Sequence, residues 1–523
     1  MGTYLNPGDD KFRKARRSSI YVDKSGLISY LNAVLDTENR FVCVSRPRRF
    51  GKSMAANMIA AYYDHTVPAE EIFRGMNIQS DPSFKIHGAK YDVIQINMQD
   101  FLSRSDNAGM LLDKLQKRLL HDLLEAYPQI NYFDPTDLIE VMGDIYNQTK
   151  RSFVIIIDEW DCIFREYQGH KDWQNQYLDF LRAWLKDKSY VGLAYMTGIL
   201  PIKKYGTHSA LNMFSEFSMT NPGPMAEFTG FTEAEVKALC QENQMDFDEC
   251  KAWYDGYRLN GKISVYSPRS VVQSMMFHEY STYWNQTETF EALKVYIDMN
   301  YDGLREAIIA LMSGAQRQID PSSFVNDMTT FHDMDDVLTL LVHLGYLSYN
   351  TDTRSVCIPN REIMLEYASA TKAGGWDVVA KAIKASDDLL EATLALDSQT
   401  VVKGIESAHM ETSHLSYNDE NALAYTLSLA YYTARQKYLL VRELPTGKGF
   451  ADLAFIPRPN YATLPALILE LKWNQSARAA IQQIKEKDYP EALKDYTGTI
   501  LLVGISYEKN TRKHTCLIER CEK

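Results

Sequence analysis

Two carboxylates and an amine in the last quarter of the chain have the types and spacing that phosphodiester chemistry requires. Glu470-Leu471-Lys472 lies in the apolar run Ala466–Trp473, a strand pattern on which alternate side chains share a face. Ile468, Glu470 and Lys472 therefore point one way, and Leu467, Leu469, Leu471 and Trp473 the other. Asp452 lies on the preceding strand pattern, Ala451–Ile456, and the turn Pro457-Arg458-Pro459-Asn460 joins the two, so Asp452 is expected to approach Glu470 across the pair. Converging carboxylates repel unless a divalent cation sits between them. Asp452 and Glu470 are thus candidate ligands for Mg²⁺, with Lys472 orienting or helping to deprotonate the attacking water. Gln483, on the helix that follows, and Glu420, on the helix before the first strand, are candidates to complete the group. A plain cross-strand Asp–Lys ion pair would leave the same residues, and so would a helix-cap role for Glu420. Glu-x-Lys also occurs at 235–237 and 249–251, but there in helical patterns that read as solvated faces.

A second group lies near the start. Gly51-Lys52-Ser53 falls between an apolar run, Phe41–Val44, and a helical pattern from Ser53. This arrangement turns loop N–H groups and a helix N-terminus toward phosphates, brings the lysine to the terminal phosphates and offers the serine hydroxyl to Mg²⁺. Arg49, Phe50, Gly51, Lys52 and Ser53 are the candidate nucleotide-binding residues. The full phosphate-loop pattern wants a glycine five residues before Gly51, where this chain has Arg46. An exposed lysine on an ordinary strand-to-helix turn is the competing reading of the tripeptide. Asp158-Glu159, just beyond the run Phe153–Ile157, adds to the nucleotide reading: Asp158 could hold Mg²⁺ through water, and Glu159 could orient or deprotonate the attacking water. Thr197, ending another apolar run, could sense the terminal phosphate, or be a plain strand-end threonine.

The elements that must position these residues follow a recognisable order. Short apolar runs at 41–44, 91–98, 153–157 and 190–196 alternate with helical patterns, which predicts a parallel α/β sheet over residues 1–224. Asn221-Pro222-Gly223-Pro224 punctuates the chain. Residues 225–389 read as short amphipathic helices, with a helix over Met334–Leu344 stopped by Gly345 and followed by a hairpin, a winged-helix-like pattern. Residues 390–523 read as helix, three strands, helix and strand. At roughly 150 residues per domain, the 523-residue length fits three such domains.

Composition narrows the classes. Hydrophobic residues make up 45% and charged residues 24%, the usage of globular chains and not of disordered or fibrous ones. No run approaches the roughly 18 apolar residues of a membrane span, and the first residues lack a signal peptide's apolar stretch, so a cytoplasmic, membrane-free protein is expected. The seven cysteines are scattered without a CxxC pair, which argues for reduced thiols and against a zinc ribbon. A net charge of −12 excludes a wholly basic nucleic-acid coat protein but not a local basic groove. The basic run Lys11–Arg17 reads as a solvated arm or a nucleic-acid contact.

Taken together, Tyr21-Val22-Asp23-Lys24, Arg46-Pro47-Arg48-Arg49-Phe50-Gly51-Lys52-Ser53, Thr197-Gly198-Ile199-Leu200, Gly230-Phe231-Thr232-Glu233, Tyr254-Asp255-Gly256-Tyr257, Tyr266-Ser267-Pro268, Gly449-Phe450-Ala451-Asp452, Glu470-Leu471-Lys472 and Gln483–Tyr489 resemble a bacterial family. That family has an AAA-ATPase-like N-terminal region and a C-terminal PD-(D/E)XK nuclease-superfamily domain. It looks similar at Arg46, also lacking the first glycine. The resemblance implies Lys52 and Ser53 as nucleotide ligands, Asp158 and Glu159 as the Mg²⁺ and water pair, and Asp452, Glu470 and Lys472 as a nuclease core. Phe450 stands where the family commonly has arginine, and Ser267 where it has asparagine; neither removes a metal ligand. The expectation is an ATP-binding ATPase fused to a Mg²⁺-dependent nuclease with DNA or RNA as partner and the oligomeric state left open. A nucleotide-dependent switch or scaffold whose tail binds nucleic acid without cutting it is the alternative.

Overall fold

Strands made only of apolar residues need cover on both faces, and the first sheet provides it. β1 (Phe41–Ser45), β2 (Asp92–Asn97), β3 (Phe153–Asp158), β4 (Val191–Gly198) and β5 (Ser215–Phe217) form one parallel sheet in the order β2-β3-β4-β1-β5. In this computed structural model β3 is buried along its whole length: Val154 and Ile156 join the core under the Lys52–Tyr63 helix, while Phe153, Ile155 and Ile157 are buried on the other side. The first four strands match the sequence expectation. β5 is three residues long and carries no apolar run of its own, so only its pairing with β1 identifies it. The structure describes the chain except residues 1, 203–210, 285–294, 296–302, 313, 327, 374–385, 387, 412–426, 428–429, 432–433, 435–436, 446–449, 459–460, 494–495, 497, 512 and 522–523.

The chain forms two compact units, one of Met1–Thr289 with Arg317–Leu365, the other of Phe290–Gln316 with Glu366–Lys523. The residues on both sides of Asn221–Pro224 thus pack within the first unit. That unit also contains two small sheets among helices. β6 (Phe231–Thr232), β7 (Tyr257–Leu259) and β8 (Ile263–Tyr266) pair in the order β6-β8-β7. β9 (Arg317–Gln318), β10 (Ser348–Asn350) and β11 (Ser355–Cys357) pair in the order β10-β11-β9. The helix Met334–Leu344 ends at Gly345, whose φ of 89° is the left-handed stop that a glycine supplies without strain. Helix, hairpin and third strand give the winged-helix-like arrangement expected of the middle of the chain.

The second unit is built on β12 (Tyr438–Pro445), β13 (Phe450–Pro457), β14 (Ala466–Trp473), β15 (Ile500–Glu508) and β16 (Lys513–Arg520), adjacent in that order. All neighbours are antiparallel except β14 and β15, which run parallel and are joined across the Ala477–Glu486 helix. The alternation read from the sequence is kept. Leu467, Leu469 and Leu471 enter one core with Leu453 and Phe455, and Ile468 enters the opposite core with Ile481 and Ile484 of that helix. β16 extends the expected pattern by one strand. The helix expected before β12 falls largely, and Glu420 wholly, outside the described residues. Among the described residues no helix is long and apolar enough to cross a membrane, and none of the cysteines is in a disulfide.

The helix lies close on β15: a Cβ at Gly504 would come within 2.3 Å of the Ala477 carbonyl oxygen and 3.0 Å of Ile481. Gly504→Ala is therefore expected to push the helix off the sheet and to destabilise the second unit by about 1–3 kcal/mol, the usual range for overpacking, measurable by denaturant unfolding.

Candidate active sites

The carboxyl ends of β1, β3 and β4 meet at one edge of the first sheet, where parallel α/β folds bind ligands. Register brings Asp158 beside Thr197 and Thr197 beside Val44. β1 leads into the loop 46–51, and Gly51, with φ 87°, makes the left-handed turn that starts the Lys52–Tyr63 helix. Lys52 is buried, and its Nζ donates to the carbonyls of Arg46 (3.0 Å) and Pro47 (2.9 Å). Burial lowers its pKa, while Glu159, Asp158 and Asp161 act in the opposite direction. The amine is thus held at the mouth of the loop by acceptors that a phosphate could replace. Ser53 bonds the Asp158 carboxylate through its hydroxyl. Burial pushes Asp158 up to about 6, against the pull of Ser53 and Lys52. The Thr197 hydroxyl is buried with no hydrogen-bond partner among the described residues. These features fit a phosphate and its Mg²⁺: a buried amine, a hydroxyl–carboxylate pair and an unsatisfied hydroxyl at one strand end. A cavity of about 1140 Å³ opens over the loop, bounded by Gly51, Lys52, Ser53 and Glu159 on one side and by Tyr21, Phe228 and Arg269 on another.

The rest of the loop is committed to packing. Arg46, standing where a glycine was wanted, is fully buried; its Nη1 donates to the carbonyls of Ser45 (2.9 Å) and Phe217 (3.0 Å), and its Nη2 to that of Met225 (3.3 Å). Burial lowers its pKa to about 10. Phe50 packs edge-on against Tyr257 with ring centroids 5.3 Å apart, and its carbonyl accepts from Gly230 N–H at 3.0 Å. Arg49, at φ 70°, donates to the carbonyls of Tyr283 (2.6 Å) and Trp284. Phe50 and Arg49 therefore border the cavity while anchoring the loop to the segment that follows the sheet.

Glu159 has φ 55° and ion-pairs with Arg165, which also binds Asp161 at 3.1 Å. Asp161 is fully buried, and its Oδ2 accepts from the N–H groups of Ile199 (3.0 Å) and Leu200 (2.8 Å). A Cβ at Gly198 would lie 2.6 Å from Asp161 Oδ1. Asp161 and Arg165 thus tie the end of β3 to the end of β4. Sequence reasoning missed both; the signal available was an acid three residues after Asp158 and an arginine four residues, one helical turn, after that acid.

In the second unit the pair Leu453↔Leu469 continues by one step to set Asp452 opposite Glu470. Asp452 Oδ2 accepts from Leu471 N–H at 2.7 Å. Glu470 is 2% exposed; its Oε1 accepts from Lys472 Nζ at 3.0 Å and from Gln483 Nε2. Gln483 also donates to the Tyr489 hydroxyl at 3.0 Å. Burial, and then the charge of Asp452, push Glu470 up to about 7, against the pull of Lys472. Its Oε2 is buried with no partner among the described residues. All four expected residues, Asp452, Glu470, Lys472 and Gln483, are therefore brought together. The Lys472–Glu470 pair is internal and not a surface bridge, with side chains 13% and 2% exposed. Among the described residues no cluster of three or more His, Cys, Asp or Glu gathers to hold a metal. Two carboxylates, one with a bare buried oxygen, nevertheless fit a divalent ion that completes its shell from water or substrate.

Residues 8–207 match the family model described as predicted AAA-ATPase, and residues 419–516 match that of the PD-(D/E)XK nuclease superfamily. These two matches, an AAA-ATPase-like stretch followed by a PD-(D/E)XK nuclease-superfamily stretch, are the architecture anticipated from the motifs. An uncharacterized protein in the vnfD 5′ region of Azotobacter chroococcum mcd 1 is 22% identical over 530 residues, 97% of this chain and 95% of that protein. Among solved structures, the Aeropyrum pernix ORC2 protein in ADPNP–ADP complexes is similar at 10% identity and a TM-score of 0.31, over 68% of this chain and 97% of its own. Cdc6p from Pyrobaculum aerophilum is similar at 8% identity and a TM-score of 0.24, over 67% and 92%.

Two outcomes follow from the buried charges. Arg46→Gly, which restores the usual phosphate-loop glycine, is expected to destabilise the protein by about 3 kcal/mol, because the carbonyls of Ser45 and Phe217 lose the guanidinium in a dry interior and that of Met225 keeps only the Phe228 N–H; denaturant unfolding measures it. Glu470 ionises near 4.5 in the unfolded chain and near 7 in the fold. The folded state therefore holds its proton more tightly, and this group's contribution falls as pH rises through that window. Without divalent ions the melting temperature should drop more steeply between pH 4.5 and 7 for the wild type than for Glu470→Gln, and Mg²⁺ should restore it at pH 8 only in the wild type.

Proposed function

We propose that the chain binds and hydrolyses ATP at the first sheet edge and cleaves phosphodiester bonds of DNA or RNA at the Asp452–Glu470–Lys472 group. The observation that carries the second half is the bare, buried Oε2 of Glu470, beside Asp452 and held by Lys472 and Gln483 on its other oxygen. A buried carboxylate oxygen without a donor is costly unless a cation is due to arrive. Asp452 and Glu470 would hold that ion, which when bound supplies charge stabilisation at a phosphoryl oxygen. Gln483 keeps Glu470 from rotating, Tyr489 keeps Gln483, and Lys472 orients the attacking water. In the first unit Lys52 binds the terminal phosphates, Ser53 and Asp158 hold the Mg²⁺, Glu159 orients the water and Thr197 contacts the terminal phosphate.

Residues 1–224, 225–389 and 390–523 serve as ATPase, transmitting and nuclease segments in this reading. The loop's contacts with Gly230, Tyr257, Tyr283 and Trp284 support a middle segment that responds to loop occupancy. Purified protein with Mg²⁺ and labelled DNA or RNA is expected to cut, and Asp452→Ala to lose at least about 100-fold in rate. Binding without cleavage under any divalent metal would favour the switch reading instead. Mg-ATP at 100 times its dissociation constant should raise unfolding stability by about 2.7 kcal/mol, and Lys52→Ala should abolish that gain. Equal cleavage by wild type and Lys52→Ala, with and without ATP, would reject coupling between the two sites.

A further inference from the structure

Four arginines border the cavity over the loop, at positions 48, 49, 165 and 269. Arg49 is occupied by the Tyr283 and Trp284 carbonyls. Arg165 stands apart because, among the described ion pairs, it is the one that holds Glu159. It lies on the short Cys162–Glu166 helix, with its side chain 7% exposed, and its charge is felt at the Lys52 amine. Burial works against its charge, and the paired Asp161 and Glu159 more than offset that, raising its pKa.

The two anions on this guanidinium are unequal. Asp161 is fully buried and pinned by two backbone N–H groups, so it cannot leave. Glu159 borders the cavity, its side chain is 20% exposed, and no other hydrogen bond to its carboxylate is described. While Glu159 is paired with the guanidinium, part of its capacity to accept a bond from a water above the loop is taken up. A terminal phosphate arriving beside Lys52 would bring a second, stronger anion within reach of the same planar donor fork.

We propose that Arg165 is a catalytic arginine acting within its own chain: when a nucleoside triphosphate fills the loop, its guanidinium keeps Asp161, exchanges Glu159 for the terminal phosphate, and so frees Glu159 to orient the attacking water. The inference rests on reading the first site as an ATPase. In the step it serves, the water oxygen bonds to the terminal phosphorus and the bond to the bridging oxygen breaks. The electron pair leaves with ADP, and the water's proton passes to Glu159. Arg165 stabilises the charge on the transferring group, a role worth about 10³-fold or more in rate where it has been isolated.

The test is steady-state ATP hydrolysis, with ATP and ADP affinities, on the full chain and its Arg165→Ala, Arg165→Lys and Glu159→Gln variants. Arg165→Ala should lose about 10³-fold in kcat, and weaken ATP binding more than ADP binding. Arg165→Lys should keep the fold and still lose most of kcat, because a single ammonium cannot grip Asp161 and a phosphate together. Glu159→Gln should stop hydrolysis yet bind ATP more tightly than the wild type, its arginine being released. Mixing Arg165→Ala with Lys52→Ala should restore nothing; restored hydrolysis would place the arginine in a neighbouring copy's site and overturn the proposal. A kcat within threefold of wild type in Arg165→Ala also overturns it, and if that variant does not fold, wild-type kcat in Arg165→Lys does the same. A wild-type chain that neither binds nor hydrolyses ATP sinks the ATPase reading itself.

Discussion

Strand register is the constraint on which both sites depend. In the first sheet the parallel pairing of β3 with β4 and of β4 with β1 fixes Asp158, Thr197 and Val44 at one level, so the loop after β1 opens directly over the acid. In the second, the antiparallel pairing of β13 with β14 sets Asp452 opposite Glu470, and the parallel pairing of β14 with β15 positions the helix that delivers Gln483. A slip of one residue in either sheet would turn every one of these side chains to the other face. In the second sheet the alternating apolar residues between them forbid that slip. Leu467, Leu469 and Leu471 belong to one core and Ile468 to the opposite one, so the pattern that builds the sheet also aims the carboxylate.

Burial then determines what these charges can do. Removing an ionised group from water costs several kcal/mol unless partners replace the hydration. Arg46 has both terminal nitrogens bound to three backbone carbonyls, with only its Nε left without a partner among the described residues, a fixed arrangement that makes it part of the scaffold. Lys52 is satisfied by two carbonyls of its own loop, which compensate less well than an anion would. Glu470 is half satisfied, with two donors on one oxygen and none on the other. The series separates structure from function: the better a buried charge is compensated by the chain itself, the less it has left for a ligand. By that criterion Arg46 holds the loop's shape, whereas Lys52 and Glu470 are the groups with something to gain from a bound phosphate or cation.

Much of this was legible in the sequence, and the remainder was not for physical reasons. Phe153–Ile157 could be read as a covered strand because a run without polar alternation has no exposed face to offer. Glu470 and Lys472 could be assigned to one side because side chains on a strand repeat every two residues. β5 could not be read, since Ser215–Phe217 has no pattern of its own and exists through pairing with β1. Arg46 looked like a defect in a motif, because a guanidinium surrounded by carbonyls from residues 45, 217 and 225 is a long-range fact. Asp161 and Arg165 left only an acid–arginine spacing of one helical turn in the sequence, because what gives Asp161 its place, the N–H groups of Ile199 and Leu200, is long-range as well.

Within the first unit the loop does not end at its phosphate-facing atoms. Arg49 holds the carbonyls of Tyr283 and Trp284, whose own N–H groups donate to Glu362 at 2.6 and 2.9 Å. Glu362 also accepts from Ser270 at 2.8 Å, on the Pro268–Phe277 helix whose Arg269 and Gln273 border the cavity. One buried carboxylate is thus bonded both to the turn that anchors the loop and to the helix that walls the cavity. Burial raises it to about 7, against the donors that favour its charge. A shift of the loop that moved Arg49 would displace the Tyr283 carbonyl and with it the Trp284 N–H that Glu362 binds, because those two groups belong to one planar peptide. Loop and cavity wall are therefore not independent, and a ligand that favours one arrangement of the loop biases the wall as well.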